Sequence, residues 1–367
     1  MRSSSTKHRV LFIADHRPDR SPGQRFRFEQ YIDHLERHGF SCELSYLIDE
    51  EDDRMLYAPG NYLRKAAFLR KCHRIRSRDV ERRDEFDIIF IFRGALLTRS
   101  IRYEKAFRQG RARIVFDFDD AIWLQSVSDA NRRLGWMKDP GKTGRIIALS
   151  DLVVAGNAYL ARYAGSFNPM VAIVPTTIDT DLYTPRPRQE VGPVVIGWSG
   201  SVTTIQHFQH AVPALRAIKE RFGERVVFRL VGDARFQEAS LGIQGLPWRK
   251  DSELADLNAM DIGIMPLPND EWAQGKCGLK GLQYMALEIP TIMSPVGVNK
   301  EIIEDGTNGF LADGTDEWVE KLVRLVEDAQ LRQRMGQEAR RTVEERYSVN
   351  AWRDRYLTLF NELLDPR

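Results

Sequence analysis

Short apolar runs that end in polar residues alternate along this chain with stretches whose apolar residues recur every three or four positions. "HRVLFIADH", residues 8–16, is the first such run and predicts a buried strand. In "RFRFEQYIDHLERHGF" the residues Phe28, Tyr31, Ile32 and Leu35 fall at helical spacing, and Gly39 is a stop signal. "SCELSYLI", "DIIFIFRG", "RIVFDFDD" and "DLVVAGN" read as further strands, with "LLTRSIRYEKAFRQG" a helix between the second and third of these. "MVAIVPTTID" closes this half. Strands alternating with helices predict a parallel sheet covered on both faces.

The pattern breaks at "TDLYTPRPRQEVGP", where Pro185, Pro187 and Pro193 mark a connection. It then restarts. "VVIGWSGS", "RVVFRLVGDA", "DIGIMPL" and "IPTIMSP" read as strands. "TIQHFQHAVPALRAIKERFG", "DSELADLNAM" and "GLKGLQYMALE" read as the helices between them. "VNKEIIEDG" predicts a short helix, "NGFLADG" a closing strand, residues 315–347 helical periods, and "SVNAWRDRYLTLFNELL" a last helix. The expected architecture is α/β, with two Rossmann-like parallel-sheet domains facing a cleft. The first spans residues 1–184 and the second 185–345, followed by a terminal segment, 346–367. Ligands in such sheets sit beyond the carboxyl ends of the strands.

Composition narrows the class. The chain has 367 residues, enough for two domains, with 43% hydrophobic and 29% charged residues, which suits a protein with buried cores. A formal charge of +2 names no partner. The cysteines Cys42, Cys72 and Cys277 are odd in number and far apart, so neither a disulfide framework nor a zinc cluster is expected, and a reducing cytoplasm fits. The apolar run Val10–Ala14 is too short for a signal-peptide core, and no stretch approaches the ~20 apolar residues of a membrane span. Any membrane contact is expected to be peripheral. Residues 61–83 hold nine Arg or Lys against two acids, with Leu69, Cys72 and Ile75 as a narrow apolar stripe. Such a helix suits an anionic membrane surface or an acidic acceptor, and equally a solvated face. Nucleic acid is not expected, because no recognition motif accompanies the charge.

The densest candidate chemistry lies in "GKCGLKGLQYMALEIPTIMSPVGVNKEIIEDGTNGFL". Lys276 and Lys280 are four apart, so they share a face once the helix has begun, and Gln283 lies one turn beyond Lys280. Gly275 and Gly278 let a ligand approach the backbone. A helix start with two ammonium groups is a diphosphate site, and the same spacing also suits an amphipathic helix with exposed lysines. "WSGSVTT" opens another helix, where Gly200 permits a tight turn and Ser201 or Thr203 offers a hydroxyl to a phosphate or caps the helix. His207 and His210 are three apart without a carboxylate at ligand spacing, so no metal site is expected there.

This block, with "IGWSGS", "LVGDA", "MDIGIMPL" and "VPTTIDTDLYTP", resembles GT-B glycosyltransferases, in particular the retaining family 4 group. The likeness is strong from Val174 onward and weaker before it. It implies transfer of a sugar, hexosyl-like, from a nucleotide donor with retention at the anomeric carbon. The resemblance further implies a glycan or lipid-linked acceptor, as in polysaccharide biosynthesis, a donor on the second domain, and a terminal helix, Trp352–Leu364, that crosses back to the first. The nucleotide sugar is the substrate, and no cofactor is implied. Members often carry two glutamates seven residues apart; here those positions are Gly275 and Gln283. An amide can still bond a ribose hydroxyl as acceptor and donor. The usual basic pair after the first strand of the second domain is also missing, so Lys276 and Lys280 are read as its replacement.

The stretch "FDFDDAIW" holds Asp117, Asp119 and Asp120. An Asp-x-Asp metal site belongs to a different, single-domain architecture, so no obligatory metal is expected. In the resembling family the strand ending here points a polar residue at the donor sugar, and Asp119 matches that position with Asp120 beside it. Either acid could instead cap a helix starting near Ala121. In "HRPDRSPGQRFRFEQY", Gly23, Gln24 and Arg25 are expected on the acceptor or phosphate side, with Arg27 read as solvated. Front-face transfer, with the leaving phosphate taking the acceptor's proton, follows from the resemblance. Two rivals are a nucleotide-sugar epimerase and a non-catalytic sugar-nucleotide or polysaccharide-binding protein.

Overall fold

The computed structural model describes residues 8–56, 62–124, 139–187, 192–201 and 204–365. The chain forms two units, Met1–Pro175 with Trp352–Arg367, and Thr176–Ala351. In the first unit six strands lie side by side: β1 (His8–His16), β2 (Phe40–Ile48), β3 (Ile88–Phe92), β4 (Arg113–Phe118), β5 (Leu152–Ala155) and β6 (Val171–Ile173). Their order is β2-β1-β3-β4-β5-β6, and every pairing is parallel. All five residues of β3 are buried, as its unbroken apolar run requires when helices cover both faces. The connections carry α1 (Pro22–Arg25), α2 (Ile32–Arg37), α3 (Glu50–Leu56), α4 (Tyr62–Glu81), α5 (Arg102–Arg108), α6 (Gly141–Leu149) and α7 (Ala158–Gly165).

The helix expected over 25–40 is broken into pieces. Phe26, Arg27 and Phe28 are all buried. Three successive side chains cannot point the same way from one α-helix, where each step turns about 100°. Arg27 corrects its expected solvation. Its Nε donates to Asp117 Oδ2 at 3.2 Å and its Nη2 to Oδ1 at 2.5 Å, and both side chains are 0% exposed. Its third arm donates to the Val174 carbonyl. Thus the first acid of "FDFDD" holds the core together.

The second unit repeats the plan with β7 (Val194–Ser199), β8 (Val226–Gly232), β9 (Gln237–Glu238), β10 (Ile243–Gln244), β11 (Leu246–Pro247), β12 (Ile262–Met265), β13 (Thr291–Met293) and β14 (Phe310–Leu311). The main sheet runs β11-β8-β7-β12-β13-β14, parallel throughout, and β9 with β10 makes a small antiparallel pair. Its helices are α8 (Ile205–Phe208), α9 (Val212–Phe222), α10 (Lys250–Asn258), α11 (Glu271–Gln274), α12 (Leu279–Ala286), α13 (Asn299–Ile302), α14 (Gly314–Glu327) and α15 (Ala329–Arg346). Asp328 divides the long helical stretch, because its carboxylate accepts from the Leu331 N–H and caps α15. The final helix, α16 (Val349–Leu364), belongs to the first unit from Trp352 onward. There Tyr356 packs 4.8 Å from Tyr31 and Phe360 5.8 Å from Phe40, centroid to centroid.

Both sheets reverse direction of growth once. The reversal lies between β1 and β3 in the first unit and between β7 and β12 in the second. Beside such a reversal the crossover helices leave in opposite directions and open a crevice at the carboxyl ends of the two strands.

The Arg27–Asp117 pair gives the fold a direct test. Removing one member strands a charge in the core, which costs about 3–5 kcal/mol. Arg27→Met is expected to lower unfolding stability in urea by that order. The joint change Arg27→Met with Asp117→Leu is expected to recover most of it.

Candidate functional site

In the second unit the reversal point is built around Trp198, at the end of β7. Its ring is 1% exposed and leaves no room for a side chain at Gly200, whose added Cβ would lie 2.1 Å from the indole. At the end of β8, Gly232 has φ +152°, and an added Cβ there would lie 2.6 Å from the Gly200 carbonyl oxygen. This loop is tied to α12. The Ser199 N–H donates to Tyr284 Oη at 2.6 Å, and that hydroxyl donates back to Ser199 Oγ at 3.1 Å. Burial pushes the Tyr284 phenol up to about 12, so it remains a donor. Ser201 is exposed, and its N–H donates to Thr204 Oγ1 at 3.0 Å. Thr203 lies outside the described residues.

The α12 helix starts later than its lysine spacing suggests. Gly278, with φ +72°, is its N-cap, so Lys276 precedes the helix and only Lys280 stands in its first turn. Helical spacing is therefore not what relates the two lysines. Lys276 Nζ lies 5.1 Å from the Trp272 ring centroid and Lys280 Nζ 5.7 Å from that of Trp198. Both bear on His207 of α8, a residue that the sequence reading dismissed with the metal question. Burial pushes the His207 imidazole down to about 4, and the charges of Lys280 and Lys276 push in the same direction. The helix itself sits tightly on the sheet, since a Cβ at Gly281 would come 1.8 Å from Met293 and one at Gly263 2.4 Å from Tyr284.

Gln283 is only 4% exposed. Its Nε2 donates to Tyr183 Oη at 3.0 Å and to Glu253 Oε1 at 3.2 Å. Glu253, on α10, also accepts from the Tyr183 hydroxyl at 2.9 Å and the Trp248 indole at 3.0 Å. Arg340 of α15 fixes the frame by donating to the carbonyls of Thr180, Tyr183 and Ala286. None of these partners was singled out from the sequence. They converge from four separated segments, and in "RKDSELADL" nothing local sets Glu253 apart from Asp251 and Asp256.

In the first unit the corresponding place holds Arg93, just past β3. It has a positive φ of +60°, rare for a residue with a side chain, and is followed by Gly94 at +151°. This turn aims the guanidinium at both remaining acids. Nε donates to Asp119 Oδ1 at 2.7 Å and Nη2 to Asp120 Oδ2 at 2.8 Å. The group stays open to solvent, with Arg93 33%, Asp119 12% and Asp120 17% exposed. Residues 121–124 form turns, so no helix starts at Ala121 for either acid to cap. Gly23 lies against the cluster, and a Cβ there would be 3.1 Å from Asp119 Oδ2 and 3.0 Å from Phe92.

Gln24 requires a correction. It is 0% exposed, and its amide bonds both backbone groups of His16 at 2.8 Å and Glu29 at 2.9 Å. It braces the loop and cannot line a substrate face. Arg25 is 8% exposed, stacks 5.0 Å from the Phe26 centroid, and lies 4.0 Å from Asp19. Behind Arg93, burial pushes the Asp15 carboxyl up and the His16 imidazole down, and Asp15 Oδ1 and His16 Nδ1 are both buried without a partner. Among the described residues no group of three or more His, Cys, Asp or Glu side chains is placed to hold a metal ion.

The basic segment is also thinner than its composition suggests. Phe68, Cys72 and Arg76 of α4 are buried, and Arg76 donates to the carbonyls of Ala14 and Ala95. Lys71 pairs with Asp49 and Asp52, and Arg82 with Glu43. Arg64, Arg70, Arg74 and Arg78 remain on the outer face with Leu63, which is 89% exposed.

Residues 193–328 match the family model described as Glycosyl transferases group 1. Over 117 residues the chain is 29% identical to an N-acetyl-alpha-D-glucosaminyl L-malate synthase of Bacillus anthracis, covering 31% of this chain and 30% of that one. Over 194 residues it is 28% identical to a D-inositol 3-phosphate glycosyltransferase of Stackebrandtia nassauensis, covering 45% and 43%. The matches thus span less than half the length of these curated relatives. Solved structures resemble it over nearly the whole chain. A glycosyltransferase from Rickettsia africae superposes with a TM-score of 0.67 at 14% identity, covering 98% of this chain and 100% of that one. HepE of Anabaena, in complex with UDP-glucose, gives 0.67 at 18%, covering 96% and 99%. Sucrose-phosphate synthase from Thermosynechococcus elongatus gives 0.68 at 14%, covering 98% and 100%. The fold is GT-B.

The state of His207 is open to measurement. Its value in the folded protein, about 4, lies below the ordinary 6.5. Unfolded chains therefore take up a proton first, and stability is lost as pH falls from 6.5 towards 4. Melting temperatures from pH 7 to 4 are expected to fall more steeply for the wild type than for His207→Gln.

Proposed function

We propose that this protein transfers a sugar from a nucleotide-sugar donor to a hydroxyl of a glycan or lipid-linked acceptor, with retention of anomeric configuration and without a metal. The observation that carries the reading is the meeting of two lysines with a glycine-shaped loop at the reversal point of the second sheet. Lys276 and Lys280 supply the charge for a diphosphate. His207 stays neutral and leaves the anion to them, while the Gly200–Ser201 backbone gives close approach. Gln283, one turn further along α12, is assigned to the ribose.

Asp119 and Asp120 are the acids we assign to the sugar. Arg93 holds them in place, so their oxygens need little reordering when positive charge develops at the anomeric carbon. The leaving diphosphate, stabilised by the lysines, takes the acceptor's proton on the front face. A second reading, donor binding without transfer, draws on the same ion pairs, because Arg93 already offsets part of the acids' charge. The outer arginines of α4 are assigned to an anionic membrane surface. This contact is electrostatic, since Cys72 of the α4 stripe is buried and Leu69 and Ile75 are half-buried. Among the described residues no helix is long and apolar enough to cross a membrane.

Paired variants test the catalytic reading. Lys280→Ala is expected to weaken nucleoside-diphosphate binding by about 1.5–3 kcal/mol in calorimetry. Asp119→Asn is expected to keep that binding and lower kcat, because its charge matters only towards the transition state. Binding without turnover by the wild type, across donors and acceptors, favours the second reading. Loss of turnover in EDTA that manganese or magnesium restores rejects the metal-free mechanism.

The membrane assignment predicts co-sedimentation with phosphatidylserine vesicles that declines with salt and is weaker for Arg70→Ser/Arg74→Ser. Equal sedimentation with neutral vesicles counts against it.

A further inference from the structure

We infer that Glu253 fixes the orientation of the Gln283 amide, so that its carbonyl oxygen stands as a dedicated acceptor for a ribose hydroxyl of the donor. This rests on the proposed donor site and assigns a positioning residue within it.

An amide presents donors on one end and an acceptor on the other, and either end can face outward. At Gln283 the choice is forced by chemistry. The Tyr183 hydroxyl gives its only hydrogen to Glu253 Oε2, 2.9 Å away, so towards Gln283 it can only accept. Glu253 Oε1, a carboxylate oxygen, can only accept as well. Both groups facing Gln283 therefore call for donors, and its amide nitrogen meets them at 3.0 and 3.2 Å. Turning the amide round would set its carbonyl against a carboxylate. Both amide hydrogens are thus engaged. The carbonyl oxygen receives no hydrogen bond among the described residues and is not sealed in the interior.

The frame behind this choice is stiff. Glu253 is 5% exposed and also held by the Trp248 indole, and Tyr183 is 1% exposed on the turn that Arg340 clamps to the end of α12. Gln283 lies three residues after Lys280 on the same helix. A nucleotide whose phosphates meet Lys280 carries its ribose as the next group along the molecule. A carboxylate at position 283 would offer oxygen acceptors. The oriented amide offers one too, with the negative charge moved one contact back to Glu253.

The test is calorimetry with UDP, GDP and ADP, then with the 2′-deoxy and 3′-deoxy forms of whichever binds. The wild type is expected to bind at least one deoxy form about fivefold or more weakly, the loss of one hydrogen bond of roughly 1 kcal/mol. Glu253→Gln puts a group that can donate or accept behind Gln283 and frees the amide to turn. It is expected to reduce the discrimination, because the amide no longer presents its carbonyl alone, whereas a merely structural loss would weaken the hydroxyl and deoxy forms alike. The exchange Glu253→Gln with Gln283→Glu restores a donor behind an acceptor and is expected to recover the discrimination. This exchanged protein also serves if the single variant fails to fold. Discrimination unaltered in folded Glu253→Gln, or absent from the folded exchanged protein, overturns the inference. A wild type that binds a diphosphate but ignores the ribose hydroxyls overturns it while leaving the donor site standing. A wild type that binds none of the three diphosphates removes the donor site and the inference together.

Discussion

Parallel pairing is the constraint on which the rest of the molecule depends. When every strand of a sheet runs the same way, all carboxyl ends emerge at one edge and every connection must cross back through a helix. Polar residues are then free to gather along one rim while the interior remains apolar. Where the order of strands reverses, the rim is left uncovered. In each unit the chain places a glycine at that spot, Gly23 against Arg93 and Asp119 in one and Gly200 against Trp198 in the other. The same geometric rule, applied twice, yields an acid-rich rim and a lysine-rich rim.

Charges are treated differently by depth. Arg27 and Asp117 are sealed together, and their mutual attraction offsets a desolvation cost that neither could bear alone. Arg93 pairs with Asp119 and Asp120 in a group still open to water. His207 lies between these extremes, buried beside two ammonium groups and neutral as a result. A charge buried with its partner stabilises the fold. A charge held at the rim stays within reach of solvent.

Much of this was legible in the sequence. The strand runs are so continuously apolar that only a sheet covered on both faces suits them, and the Pro-rich break before Val194 separated two repeats of one pattern. Lys280 and Gly278 stood out because a helix start announces itself locally. What was not legible depends on long-range pairing. Arg27 looked solvated because its partner lies 90 residues away. Arg93 carries no local sign of its left-handed backbone. Gln24 looked like a contact residue, although its amide serves the loop that contains it. Glu253 meets Gln283 from another helix, and no spacing rule joins them.

The contact between Glu253 and Gln283 also bears on how such a sequence can change over generations. A glutamate arising at position 283 alone would face a carboxylate across about a hydrogen-bond length, where like charges repel strongly. A glutamine arising at position 253 alone would leave two amides with no fixed polarity. On the inferred donor site, each residue therefore suits the other. On that inference, exchange between the two arrangements by single changes passes through a step in which like groups face each other, which a paired change avoids.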